Sequence, residues 1–291
     1  MTRITNSMIP YTYERMVHDL YVLQYRYPFM KLEVIGRSVL GYPIFHVLLG
    51  KGERSVHLNG SFHANEWITT NVLMQFIEEY AEGMKQSEER DGGVTLSVVP
   101  MVNPDGVNLV LNGPPLVEPY YSLVQYVNRG FDDFTGWKAN IRGIDLNNQF
   151  PAYWDVEKER KIPKEPYPRD YPGEEPLTEP EVQAMAELTK HYQFDRVVAL
   201  HTQGKEFYWG YLGKEPEESE RIASKLTDVS SYKSVRNVDS HAGYKDWFIH
   251  EWSRPGFTLE LGKGVNPLPL SQYPEIYRET RNILLAAIHT K

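Results

Sequence analysis

Apolar and polar positions change period several times along the chain. Residues 11–27, YTYERMVHDLYVLQYRY, carry apolar side chains at helical spacing and stop at Pro28. LEVIGRSVL and PIFHVLLG follow as two strands around the turn residues Gly41 and Tyr42, and SVHLNGSF (55–62) as a third. In WITTNVLMQFIEEYAEGM, Ile68, Val72, Phe76 and Tyr80 share one helical face. TLSVVPMVN (95–103) reads as a buried strand, closed by the turn chemistry of NPDG.

Residues 104–178 are rich in Pro, Gly and aromatics and only weakly periodic, so a long loop region is expected there, of a length usually tied to function or disorder. Regular patterns then return. EPEVQAMAELTKHY predicts a helix, RVVALHTQG a strand, SERIASKLTDVSSY a helix, DWFIHEW a short helix, GFTLELG a strand and YPEIYRETRNILLAAIH a closing helix. Strands alternating with helices predict an α/β sandwich around a mostly parallel or mixed sheet. With no internal repeat and no convincing linker, residues 1–291 read as a single domain.

Composition narrows the classes. The chain has 291 residues, 41% of them apolar, enough for a sizeable core. It has no cysteine, which excludes disulfides and thiolate-bound metal and suits a reducing, cytoplasmic setting. A net charge of −8 argues against nucleic acid as a partner. No run of about 18 apolar residues is present, so no membrane span is expected, and MTRITNSMIPYTYERM lacks the apolar core of a signal peptide.

The candidate chemistry starts at NGSFHANEW. It puts His63 and Glu66 three positions apart just past the SVHL strand, at a strand's carboxyl end, where open α/β sheets place their sites. An imidazole nitrogen and a carboxylate oxygen can share one divalent ion, and catalytic zinc commonly takes three protein ligands. His201, just past the apolar run of RVVAL, offers the third. An isolated HxxE match is weak in a chain with nine histidines: His57 reads as a partly buried sheet residue, and His18, His191 and His289 as surface residues of helices. Glu260 in GFTLELG is either a solvent-side residue of an edge strand or a carboxylate facing a cleft. In the second case it can serve as general base to a metal-activated water.

In order along the chain, HANEW, NPDG, GIDLNNQF, ALHTQG and GFTLELG resemble the zinc carboxypeptidases related to carboxypeptidase A, the M14 metallopeptidases. SFHANEWITT, DLNNQFPA, HTQGKEFYWGY, SHAGYKDWF and ELGKGVNPLPLSQ are most similar to its bacterial γ-D-glutamyl-L-diamino acid peptidases. The resemblance spans about residues 10–290. It implies a mixed, twisted eight-stranded sheet flanked by helices, one Zn²⁺ on His63, Glu66 and His201, and Glu260 as base and proton shuttle. It implies too that Asp145 orients His63, and that a cation of WKANIRGIDLN polarises the scissile carbonyl. Lys138 and Arg142 are the available cations, and Arg142 is the one assigned here.

Departures from the family pattern point to the substrate. Asn147-Asn148 stands where the exopeptidases have Asn-Arg, so the bidentate clamp on a terminal carboxylate is missing. Asn65 replaces the arginine of the family's HxRE, and by direct register Val238 occupies the place of the substrate-covering tyrosine, for which His241 or Tyr244 is the expected stand-in. Lys245 falls at the bottom of the specificity pocket, where a cation favours a leaving group that carries a carboxylate. The implied substrates are peptidoglycan-derived peptides with a γ-D-glutamyl–meso-diaminopimelate bond, hydrolysed in the cytoplasm by a catalytic domain without a wall-binding module. A carboxypeptidase for ordinary peptides and a degenerate wall-fragment binder are the rival readings.

Overall fold

A computed structural model describes residues 3–86 and 93–291. Its centre is built from the most continuously apolar segments. β3 (Arg54–Gly60), β4 (Val94–Val99), β5 (Arg196–Thr202) and β8 (Gly256–Leu261) run parallel as neighbours in the order β4-β3-β5-β8. Every residue of β5 is buried, as a strand covered on both faces requires. Antiparallel β2 (Pro43–Leu49) and β1 (Lys31–Arg37) extend one side. β6 (Glu206–Tyr208), antiparallel to β8, and β7 (Lys233–Val235) extend the other. The sheet is thus mixed and eight-stranded, with order β1-β2-β4-β3-β5-β8-β6-β7.

Side chains alternate across this sheet. Val198 and Leu200 of β5 join Phe257, Leu259 and Leu261 of β8 in a core under α1 (Tyr13–Arg26), α2 (Ile68–Gln86) and α9 (Tyr273–His289). Val197 and Ala199 face the other way, into a second core with Phe62, Phe150 and helices α6 (Pro180–Tyr192) and α8 (Tyr244–Trp252). His201 and Glu260 continue this second alternation at the carboxyl ends of their strands, on the α8 face. The remaining helices are α3 (Pro104–Asn112), α4 (Tyr120–Val127), α5 (Trp154–Arg160) and α7 (Glu217–Asp228). None of the described helices is long and apolar enough to cross a membrane.

Two expectations change, and two short strands are added to those read. NPDG does not close a turn: Asn103 caps α3, its Oδ1 accepting the Gly106 N–H, and Pro104 occupies the first turn, where its missing N–H costs nothing. The region 104–178 contains three helices and many side-chain-to-backbone bonds instead of one long loop. β6 and β7 went unread because three residues are too few to show a period. His57 is fully buried, its Nδ1 on Ser97 Oγ and its ring stacked on Phe194. His18, His191 and His289 lie at the surface as read.

Candidate active site

β3 ends at Gly60, and the chain must then turn sharply onto α2. A Cβ at Gly60 would sit 2.9 Å from Leu73 Cδ1 and 3.0 Å from Thr69 Oγ1, so glycine lets the helix start press on the strand end without displacing either side chain. Ser61 adopts φ +53°, held by its N–H donating to Thr69 Oγ1 and its hydroxyl bonding Thr70. The next residues place His63 at the start of a single 3₁₀ turn, Ala64–Glu66. Asn103 ties this loop to a second one: its Nδ2 donates both to Phe62 O and to Ala139 O. The Ala64 N–H adds a third link, to Lys138 O at 2.9 Å.

His63, Glu66 and His201 converge. One ligand atom from each lies within 4.8 Å of the other two, the one such group among the described residues. His63 Nδ1 is 2.9 Å from Glu66 Oε1, His201 Nδ1 is 2.9 Å from Glu66 Oε2, and the two Nδ1 atoms are 3.1 Å apart. On the far side of its ring, His63 Nε2 donates to Asp145 Oδ1 at 3.1 Å, which fixes the tautomer that points the Nδ1 lone pair inward. Asp145 is itself held by the Asn147 and Asp170 N–H groups. Thr202 N–H donates to Glu66 Oε2, and the Asn266 amide bridges Thr202 O and Glu66 Oε1.

Three buried lone pairs aimed at one point repel unless a positive charge sits among them. The carboxylates draw positive charge to this point, a proton on His63 in the free site or a metal ion in its place. Burial alone would lower the His63 imidazole, but Glu66 and Asp145 outweigh it and hold it up at about 9. Against its burial, Glu66 is pulled below the carboxylate range by His63 and His201, and Asp145 by His63 and Lys138. His201 is lowered by burial despite Glu66. This two-imidazole, one-carboxylate set fits zinc, a borderline ion that takes N and O ligands and keeps a position open in catalytic sites.

Beside the set lies a cleft of about 630 Å³. Glu260 is on its wall, and β8 is an internal strand, so the edge-strand alternative for this residue falls away. Burial and the neighbouring Glu66 carboxylate push Glu260 well above its ordinary value. Asn147, Asn148, His241 and Lys245, four of the expected substrate-binding positions, line the same cleft, and so does Val238. His241 Nδ1 meets the Tyr211 hydroxyl at 2.9 Å.

Two assignments are corrected. Arg142 does not reach the cleft: the turn at Asn140–Ile144, tied by Asn140 Oδ1, turns its half-exposed guanidinium to Glu179 Oε2 at 3.5 Å. Lys138 lines the cleft instead, and Asp145 and Glu66 raise its ammonium pKa against the cost of burial. Tyr244 cannot cover a substrate. It is fully buried among Phe62, Phe150 and Trp247, with its hydroxyl on Thr189 at 2.8 Å. Tyr208, Glu157, Lys161 and Asp170 line the cleft without having been singled out. Tyr208 sits in HTQGKEFYWGY, where a strand-end motif flanked by aromatics was the available signal; the other three follow no local pattern.

The zinc carboxypeptidase family profile matches residues 16–283. The γ-D-glutamyl-L-diamino acid endopeptidase 1 of Lysinibacillus sphaericus is 48% identical over 99% of this chain and 74% of its own length. Among solved structures, thrombin-activatable fibrinolysis inhibitor superposes with a TM-score of 0.77 over 99% of this chain and 76% of its own, at 17% identity. The murein-tripeptide amidase of Escherichia coli O157 does so with a TM-score of 0.57 over 89% and 93%, at 21% identity.

Proposed function

The chain belongs to the zinc carboxypeptidase family and is a zinc metallopeptidase, and from that premise we propose that it hydrolyses the bond between the γ-carboxyl of D-glutamate and meso-diaminopimelate in peptides derived from peptidoglycan. The observation that carries this reading is Lys245, an ammonium set into the wall of a cleft that no arginine lines among the described residues. An exopeptidase clamp for a terminal carboxylate is thereby lacking, while a carboxylate farther along the leaving group finds a cation. The likeness to the Lysinibacillus endopeptidase, whose name specifies a γ-D-glutamyl-L-diamino acid bond, supports the same substrate.

Each side chain has a role its position allows. His63, Glu66 and His201 hold the ion, and Asp145 keeps His63 in the ligating tautomer. When bound, zinc supplies Lewis-acid activation of water and of the scissile carbonyl. Glu260 takes the proton of the attacking water and delivers it to the leaving nitrogen, a task suited to a carboxyl whose proton affinity is raised by burial. Lys138 donates to the oxygen on which negative charge develops, an electrostatic contribution prepaid by its placement. Asn147, Asn148 and His241 contact the substrate along the cleft. We place the activity in the cytoplasm, on peptides recovered from the wall, a setting that suits the cysteine-free composition and that cell fractionation checks.

Mass spectrometry of the products from L-Ala-γ-D-Glu-meso-diaminopimelate with added zinc tests the proposal. Release of free diaminopimelate is the expected result. Release only of the C-terminal residue of a blocked ordinary dipeptide would overturn it.

A further inference from the structure

Part of the cleft lining comes from two elements distant in sequence. α5 and the residue after it bring Glu157 and Lys161; the first turn of α8 brings Lys245 and Asp246. The four form two ion pairs, Lys161 Nζ to Glu157 Oε1 at 3.0 Å and Lys245 Nζ to Asp246 Oδ1 at 2.6 Å, and behind them Arg160, outside the cleft lining, joins Glu157 Oε2 at 3.5 Å to Asp239 Oδ1 at 2.8 Å, a further cation balanced by a further carboxylate. Glu157, Lys245 and Asp246 are 1%, 4% and 3% exposed. Their positions are fixed from behind: Lys245 Nζ donates to Gly210 O, and Glu157 Oε2 accepts the His241 N–H. The Lys245 stem also runs against Gly256, where an added Cβ would come within 3.2 Å of its Cγ.

Buried ion pairs contribute little to stability, because desolvation offsets their attraction, so two of them lining one cleft, with only Lys161 partly exposed, call for another explanation. Asp246 Oδ1 is buried and makes no hydrogen bond beyond its close ion contact, so it keeps acceptor capacity. The four charges cancel. A ligand tip with one charge would leave a like charge facing it; a tip with a carboxylate and an ammonium on the same carbon meets an opposite charge for each.

We propose that this part of the cleft is a subsite for a zwitterionic amino-acid head, its carboxylate received by Lys161 and Lys245 and its ammonium by Glu157 and Asp246. The inference rests on the γ-glutamyl–diamino acid reading above and deepens it. It makes the far end of the diamino acid the specificity element and assigns it to Glu157 and Lys161 as well as to Lys245.

The test uses the zinc-loaded full chain and three peptides, L-Ala-γ-D-Glu-X, with X meso-diaminopimelate, L-lysine (ammonium only) or L-2-aminopimelate (carboxylate only). The wild type is expected to favour the first by about tenfold or more in kcat/KM over each of the others, the effect of one charged hydrogen bond. Glu157→Gln should lower the diaminopimelate value more than that of the aminopimelate peptide, so that the roughly tenfold preference between the two closes. Lys161→Met, at a partly exposed site, should lower the two carboxylate-bearing peptides more than the lysine peptide, so that their advantage over it closes. Equal cleavage of all three peptides by the wild type, or equal losses on all three in Glu157→Gln, overturns the subsite and leaves the bond assignment standing. Cleavage of none overturns the bond assignment; calorimetry with free meso-diaminopimelate then decides the subsite, with binding weakened tenfold by Glu157→Gln in its favour and no binding against it.

Discussion

His201 and Glu260 are register partners on the neighbouring parallel strands β5 and β8, so a metal-ligating imidazole and a cleft carboxylate are set side by side by sheet hydrogen bonding alone. Their separation depends on backbone pairing and on no flexible loop. Glu260→Gln should therefore retain zinc, measured by elemental analysis, while turnover falls by about 10²- to 10⁴-fold, the usual contribution of a positioned acid–base. Near-full turnover in this variant would remove Glu260 from the chemistry.

Lys138 and Arg142 give opposite expectations. Lys138→Met should lower kcat by about 10²- to 10³-fold with a smaller change in KM, as for a donor that acts on developing charge. Arg142→Ala, whose guanidinium leans on Glu179 away from the cleft, should stay close to wild-type kcat and KM. Steady-state kinetics on both variants separates the two cations.

Asp145→Asn should weaken zinc binding by about 10- to 100-fold, because it removes the charge that fixes the His63 tautomer while leaving the ligands in place. Competition with a chelator reads this directly. His201→Ala should lose the ion more completely.

Glu181 links stability to pH. It is fully buried on α6; its Oε1 accepts the Val39 N–H, and its Oε2 has no hydrogen-bond partner. Burial, with Asp105 nearby, pushes it up to about 8. Burial likewise raises Asp105 to about 6, against the hydrogen bonds it accepts from Ser38 and Leu40. Below the ordinary carboxylate range both folded and unfolded chains carry the proton, and nothing is lost. Between that range and about pH 8 the unfolded chain releases the Glu181 proton and the folded chain keeps it, so stability declines as pH rises and levels off above pH 8. Glu181→Gln should flatten this decline and melt higher than wild type at pH 8 but no higher at pH 4. Thermal denaturation across pH measures it.

Tyr244→Phe should cost about 0.5–1.5 kcal/mol of stability through loss of its buried bond to Thr189 and leave KM unchanged. A raised KM with unchanged stability would return Tyr244 to the substrate.

The ligand set was legible because its members lie next to long, strongly patterned strands: SVHL precedes His63, RVVAL precedes His201, and GFTLEL contains Glu260. The central order of the sheet follows from the same runs. Lys138 and Arg142 could not be ranked from sequence, since the choice depends on how Asn140 Oδ1 closes a turn, a contact that no period encodes. Tyr244 was misplaced because its own helix begins two residues before the apolar pattern of DWFIHEW, and this extra part-turn carries it into the core. Glu157 and Lys161 were invisible for the opposite reason: Glu157 is tied to His241 and both share a cleft with Lys245, more than eighty positions later in the chain.

Asn103 holds Phe62 and Ala139 with one amide while capping a helix of its own. Neither strip of backbone is therefore a transplantable cassette. Anyone moving the HANE segment into another scaffold must also carry the WKAN segment and the beginning of α3, since a carboxylate or an alkyl group at position 103 has no hydrogens to offer the two carbonyls. The same three-way joint predicts that recombination between relatives will tolerate crossovers within β1 or α9 far better than crossovers between positions 63 and 139.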